Sequence, residues 1–190
     1  ALRAWLAGLY RRRSVIARGI GNGFGCNRGR IKRRFGDSAK CGAAVRALLE
    51  ASGLPSEDVS YGAQLLLAAW DGATLAGVVA LEGHGKDALL RSLAVAEGWR
   101  KKGVGSALTA RAVERARKLH LRDLYLLTET AEPFFVARGW RRVDRAAVPA
   151  PVKTSRQFEG LCPATVPCLV RAVPEAAAQD APAPSRKPSA

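Results

Sequence analysis

Apolar residues recur along this chain with two periods, and the switches between them mark out its elements. Ala44, Val45, Leu48 and Leu49 fall at i, i+1, i+4 and i+5, one stripe of a short helix that Gly53 ends and Pro55 stops. Residues 65–70 and 74–82 are β-rich apolar runs joined at Asp71-Gly72, a strong turn signal, and so predict a hairpin. Residues 89–95, interrupted only by Arg91 and Ser92, have the length of a buried strand. Val104, Leu108, Ala112, Ala116 and Leu119 then return at spacings of four and three, with Arg111, Glu114, Arg115 and Lys118 turned to water, as in an amphipathic helix. Residues 124–128 read as another buried strand, 133–137 as a short helix closed by Gly139, and 140–144 as a strand. The order is helix, two antiparallel strands, then strand, helix, strand, helix, strand. It predicts an α/β (α+β) fold with a mixed sheet and helices on both faces.

The joint between the 89–95 strand and the helix from Val104 carries the first chemistry. In Arg100-Lys101-Lys102-Gly103-Val104-Gly105 two glycines sit where a chain entering a helix leaves several N–H groups without acceptors, with no Cβ in their way. The helix N-terminus adds partial positive charge and the three cations add formal charge, so the joint suits a phosphate or pyrophosphate. An isolated RxxGxG is more often a glycine turn with a solvated basic rim; the strand before and the helix after favour the phosphate reading. There is no GxxxxGK[ST] and no GxGxxG followed by a ribose-binding acid, which argues against a P-loop and a dinucleotide fold.

Composition sets the outer bounds. The 190 residues, 48% hydrophobic and 25% charged, suffice for one globular domain. The net charge of +15 is uneven, since residues 1–40 carry eleven Lys or Arg against the single acid Asp37. Residues 1–40 therefore read as a basic, Gly/Arg-rich extension, expected to be disordered or not native to the domain, with 31–35 held open as a first strand. A transit peptide, a nucleic-acid-binding arm and an over-extended reading frame all fit it, the last favoured by the missing initiator Met. Residues 41–173 are the expected catalytic domain, and 174–190 an Ala/Pro-rich disordered tail. Cys26, Cys41, Cys162 and Cys168 form no CxxC and have no His at zinc-finger spacing, so neither a metal site nor a disulfide framework is expected. No uninterrupted apolar run approaches the roughly 18 residues of a membrane span. A soluble, cytoplasmic protein is the expectation.

The run SLAVAEGWRKKGVGSAL resembles the acetyl-CoA-binding motif of the GNAT superfamily of N-acetyltransferases, whose pattern is R/Q-x-x-G-x-G/A after a strand. LYLLTETAEPFFVARGWRRVDR resembles the strand, helix and strand that follow in that fold, and SRQFEGLCPATVPCLV the end of the small GNAT proteins of bacterial arsenic-resistance operons. Together the likeness covers about residues 43–173. It implies a GNAT fold whose sheet splays between two central parallel strands, here ending near Val95 and Thr128, with the pantetheine arm paired to the exposed edge. It also implies acetyl-CoA as cosubstrate, held by Leu93, Ala94, Val95, Arg100, Lys101, Lys102, Gly103, Val104, Gly105 and Ser106. The implied reaction is acetyl transfer to the amine of a small amino acid or amino-acid-like toxin, arsenic-containing compounds among them. Glutamate N-acetylation, as in arginine biosynthesis, and a non-catalytic CoA-binding module stay open. The implied partner is a small-molecule amine, without a membrane; nucleic acid is disfavoured and a homodimer is open.

Acetyl transfer to an amine needs a neutral nucleophile, a route for its proton and donors for the oxyanion. The main-chain N–H groups from Leu93 to Val95 are the candidate oxyanion donors. Glu82 is the candidate general base, acting through water, and is weighed evenly against a surface carboxylate at a strand end. Arg91, a cation inside an apolar run, reads as a buried ion-pair partner or as a clamp for a substrate carboxylate, with the clamp favoured. Thr128, Glu129 and Thr130 are candidate acceptor-pocket residues, against β-propensity and helix capping for the threonines. Arg156 and Phe158 are expected to shape that pocket. Many GNAT enzymes carry a Tyr that protonates the departing thiolate; the matching position here is Phe135, so that proton is left to water. Cys162 and Cys168 could meet around a trivalent arsenical, but two buried cysteines in a strand-rich tail are the commoner case. His84 and His120 read as loop residues without a role.

Overall fold

The computed structural model of the protein describes residues 33–37, 42–57, 59 and 64–175. Strand β1 (Arg33–Asp37) and helix α1 (Gly42–Ala51) lead into strands β2 (Gln64–Asp71), β3 (Thr74–His84) and β4 (Asp87–Val95). Helix α2 (Val104–Lys118), strand β5 (Asp123–Leu127), helix α3 (Glu132–Val136), strand β6 (Arg141–Val143), helix α4 (Ala150–Lys153) and strand β7 (Cys168–Ala172) follow. The strands make one seven-stranded sheet in the order β1-β2-β3-β4-β5-β7-β6, in which only the β4–β5 pair is parallel.

The mixed sheet with helices on both faces is as the periodicities predict, and three features differ. β1 pairs along β2, so the sheet takes in residues on the N-terminal side of the expected domain boundary at 41. The rest of the basic extension and the tail from 176 lie outside the described residues. Second, residues 150–161 form α4 and a wide helical turn, Gln157–Leu161, and only Cys168–Ala172 of the supposed strand-rich tail is strand. That strand inserts between β5 and β6 and pushes β6 to the sheet edge. Third, β3 and β4 run on to His84 and Asp87, which face each other across a two-residue turn with Gly85 at φ 74°. His84 is therefore a buried strand residue, not a loop residue.

Alternation along the strands sorts the core onto two faces. One face presents Val79, Leu81, Leu90, Leu124, Leu126 and Leu169 to the predicted stripe of α2, Val104, Leu108, Ala112 and Ala116. The other carries two separate clusters. Leu66, Val78, Ala80 and Ala94 pack against Val45 and Leu49 of α1; Leu89, Tyr125, Cys168 and Val170 pack against Val148 and Val152. Among the described residues no helix belongs to the stretch between those clusters, where the side chains of Glu82 and Arg91 meet.

Candidate active site

A β-bulge in β4 shapes the centre of the sheet. Val78 pairs with Ala94 and Ala80 with Arg91, so Val79 alone faces both Ser92 and Leu93. Ser92 takes φ 55°, a left-handed conformation that a non-glycine residue adopts at a cost. The extra residue reverses the alternation: Leu90 belongs to the α2 face, whereas Ala94, four residues on, packs with α1. On its other side β4 pairs with β5 only through Asp87↔Asp123, Ala88↔Leu124 and Leu89↔Tyr125. From Leu90 to Val95 the strand has parted from β5, the splay expected between the two central parallel strands. The Leu93–Val95 main chain thus borders a gap into which an extended amide-bearing chain can pair as a substitute strand.

Beyond Val95 the chain makes a short turn, Glu97–Trp99, and enters α2 through Lys101 at φ 58° and Gly103 at φ 78°. The first main-chain bond of the helix is Ala107 N–H to Gly103 O, 3.0 Å. The N–H groups of Val104, Gly105 and Ser106 consequently have no acceptor within the helix, and Gly103 has no Cβ to shield them. Val104, 1% exposed, anchors this end to the sheet. Arg100 Nε donates to Val95 O at 3.3 Å, which ties the loop to the end of β4, and the Lys102 ammonium lies 5.1 Å from the Trp99 ring centroid. These groups fit a pyrophosphate.

Arg138 is a further cation at this loop, and sequence reasoning missed it. Its Nε and Nη2 donate to Ser106 Oγ at 3.1 and 2.6 Å, Nη1 donates to Phe134 O at 2.5 Å, and the guanidinium lies 3.7 Å over the Phe134 ring. A cleft of about 220 Å³ between α2 and Arg138 is walled on its far side by Arg171, whose Nη1 donates to Arg138 O at 2.8 Å. No local pattern announces Arg138, because it reaches α2 from 32 residues away.

The Glu82 carboxylate lies on the open stretch of the other face. Arg91 Nη1 donates to its Oε2 at 2.8 Å, Gln64 Nε2 donates to the same oxygen at 3.2 Å, and His84 Nε2 stands 3.2 Å from Oε1. Burial works to raise its pKa, but the hydrogen bond and charge of Arg91, with the nearby His84, outweigh burial and hold the carboxyl below its ordinary value. Of the two readings of Arg91, the geometry supplies the ion pair: its side chain is 1% exposed, against 14% for Glu82. The sequence signal for the cluster was available in the strand alternation, since Gln64 and Glu82 are register partners and Arg91 sits opposite Ala80. It needed the register to be seen.

Thr128 Oγ1 accepts the Ala131 N–H at 3.0 Å and so shapes the turn before α3, while Glu129 and Thr130 are exposed. Arg156 is exposed as well, whereas Phe158 packs against the Leu89–Tyr125 cluster. Phe135 is core, with ring centroids 5.0 Å from Phe134 and 5.5 Å from Trp140. Cys168 is buried in β7 and burial pushes its thiol up to about 11, so it is a neutral thiol near pH 7. Among the described residues no cluster of three or more His, Cys, Asp or Glu could hold a metal ion, and no helix is long and apolar enough to cross a membrane.

Residues 44–140 match the family model of the Acetyltransferase (GNAT) family. No curated protein matches the chain. Among solved structures, N-acetylglutamate synthase from Neisseria gonorrhoeae complexed with coenzyme A and N-acetyl-glutamate is similar over 77% of this chain and 36% of its own, at 18% identity and a TM-score of 0.63. The chain thus spans about a third of that synthase. An acetyltransferase of GNAT family from Staphylococcus aureus Mu50 is similar over 75% of this chain and 99% of its own, at 11% identity and a TM-score of 0.60. A Mycobacterium tuberculosis protein solved in complex with CoA is similar over 69% and 93%, at 18% identity and a TM-score of 0.57. At these identities the likeness is one of fold.

Proposed function

The chain belongs to the GNAT acetyltransferase family, whose cosubstrate is acetyl-CoA, and from that premise we propose that it transfers the acetyl group to the amine of a small amino acid or amino-acid-like toxin. The observation that carries the reading is the parting of β4 from β5 after Leu89↔Tyr125, directly before a helix N-terminus whose first N–H groups have no helical acceptors. The resemblance of the 155–170 segment to small acetyltransferases of arsenic-resistance operons supports an arsenic-containing amino acid among the acceptors.

Acetyl-CoA supplies a thioester, an activated acyl group with a good leaving group. The residues of the chain divide the remaining work. The N–H groups of Val104, Gly105 and Ser106, with Arg100, Lys101 and Lys102, hold the diphosphate, and the Leu93–Val95 main chain pairs with the pantetheine arm. A main-chain N–H of Leu93 stabilises the oxyanion. Glu82, fixed by Arg91, Gln64 and His84 in its ionised form, accepts the proton of the acceptor ammonium through water. Its lowered pKa makes it a weak base but keeps it ionised at every pH near neutrality. Protonation of the leaving thiolate falls to water, Phe135 offering no acid.

A thiol-release assay with acetyl-CoA over a panel of free amino acids, glutamate, and phosphino- and arsino-amino acids tests the reading. Turnover of at least one acceptor is expected, with Gly103→Val raising the acetyl-CoA KM about 10-fold by closing the left-handed turn at φ 78°. Acetyl-CoA binding without turnover of any acceptor would overturn the transferase reading in favour of a CoA-binding module. No binding would overturn both.

A further inference from the structure

Arg91 is tied to Glu82, which leaves open what holds the anionic end of an acceptor. A second cleft, of about 560 Å³, opens between the Arg145–Ala147 turn and the Gln157–Leu161 turn, and Arg145, Lys153, Phe158, Gly160 and Cys162 help to line it. Its place in the fold is informative. Phe158 packs against the cluster that contains Cys168, the register partner of Leu127 at the C-terminal end of β5, where β4 has already parted from β5. The cleft therefore adjoins the cluster on the sheet face opposite α2, on the side of the C-terminal end of β5.

Two cations line it, and no acid is among the lining residues. Arg145 Nη1 donates to Pro163 O at 2.6 Å, and Lys153 Nζ donates to Ala146 O at 2.7 Å. Both acceptors are main-chain carbonyls, so neither cation is neutralised, and among the described residues neither forms an ion pair with a carboxylate. Among the described residues Arg145 Nη2 has no hydrogen-bond partner. The guanidinium lies 5.1 Å from the Phe158 ring centroid, which holds its plane in place. The nearest acid in sequence, Asp144, spends an oxygen on the Ala146 N–H at 2.8 Å.

We propose that this cleft is the acceptor's anion subsite: Arg145 and Lys153 bind a carboxylate of the acceptor, and Phe158 covers the apolar stem between that carboxylate and the amine. The proposal rests on the acetyltransferase reading above and adds the residues that bind the anionic group of the acceptor. It also moves substrate recognition from Arg91, on a rigid strand, to two helical turns that β4 and β5 do not constrain.

Calorimetric titration of the CoA-saturated protein with glutarate and with glutaramide, its uncharged diamide, tests the subsite without requiring turnover. Glutarate is expected to bind at least about 10-fold more tightly than glutaramide, and Arg145→Gln and Lys153→Gln each to weaken glutarate about 10-fold or more, as loss of a charged hydrogen bond does. Lys153→Gln, whose present bond is to an exposed carbonyl, decides the matter if Arg145→Gln unfolds the turn. CoA affinity should not change in either variant. Equal binding of the two probes, no binding of glutarate, or glutarate binding that both variants leave intact would overturn the subsite. The parent reading fails separately: glutarate bound through Arg145 and Lys153 with no acceptor acetylated keeps the subsite and sinks acetyl transfer, whereas turnover with unchanged acceptor KM in both variants does the reverse.

Discussion

Arg91 Nη1 stands 2.8 Å from Glu82 Oε2 across the β3–β4 pair, and the two make a buried ion pair on the face of the sheet where an acceptor would approach. Removing one partner of such a pair leaves the other charged and poorly solvated. Arg91→Ala is expected to lower stability in urea by about 3 kcal/mol and to lower kcat, because Glu82 loses the group that fixes it. A substrate clamp would behave otherwise: its loss would appear in the acceptor KM with kcat and stability preserved. Urea unfolding and steady-state kinetics of the one variant separate the two.

The same pair sets a pH dependence. The Glu82 carboxyl is held below its ordinary value of 4.5, so the unfolded chain binds its proton more readily than the folded one. The stabilisation is fully present above that ordinary value and is lost as the pH falls through the lower, folded-state value. Thermal midpoints of the wild type should therefore fall more steeply below pH 4.5 than those of Glu82→Gln. Parallel curves would mean that the ion pair contributes nothing to stability.

Gly77 on β3 lies under α2, and a Cβ there would stand 2.8 Å from Ala94 O, 3.0 Å from Leu108 and 3.1 Å from Val104. The first contact is with backbone, which cannot turn aside. Gly77→Ala should cost about 1–3 kcal/mol by overpacking and displace the N-terminal end of α2 from the β4 edge. The check is a raised acetyl-CoA KM together with a lowered thermal midpoint.

Arg138 links Ser106, in the first turn of α2, to the Phe134 ring. Arg138→Ala removes a guanidinium from beside the N–H groups proposed to bind phosphate and is expected to raise the acetyl-CoA KM about 10-fold, the loss of one charged hydrogen bond. The acceptor KM should not change. A shift in the acceptor KM instead would mean that Arg138 serves the other face.

Much of this architecture was legible in the chain before any coordinates. The 3.6-residue stripe from Val104, the apolar run before it and the two glycines between them are all encoded within a few residues of where they act, because helix periodicity, strand burial and turn conformation are local properties. So the loop from Arg100 to Gly105 could be read directly, and the structure gives it a left-handed Gly103 and three helix N–H groups without helical acceptors. What tertiary structure alone decided lies between residues distant in sequence. The bulge at Ser92 reverses which way Ala94 faces, and nothing in LLRSLAV marks it. The insertion of β7 between β5 and β6, the reach of Arg138 to Ser106 and the choice of Glu82 as partner for Arg91 all depend on strand register and packing. Register is set by the whole sheet: a slip of one residue would turn Glu82 to the α2 face and leave Arg91 without its partner.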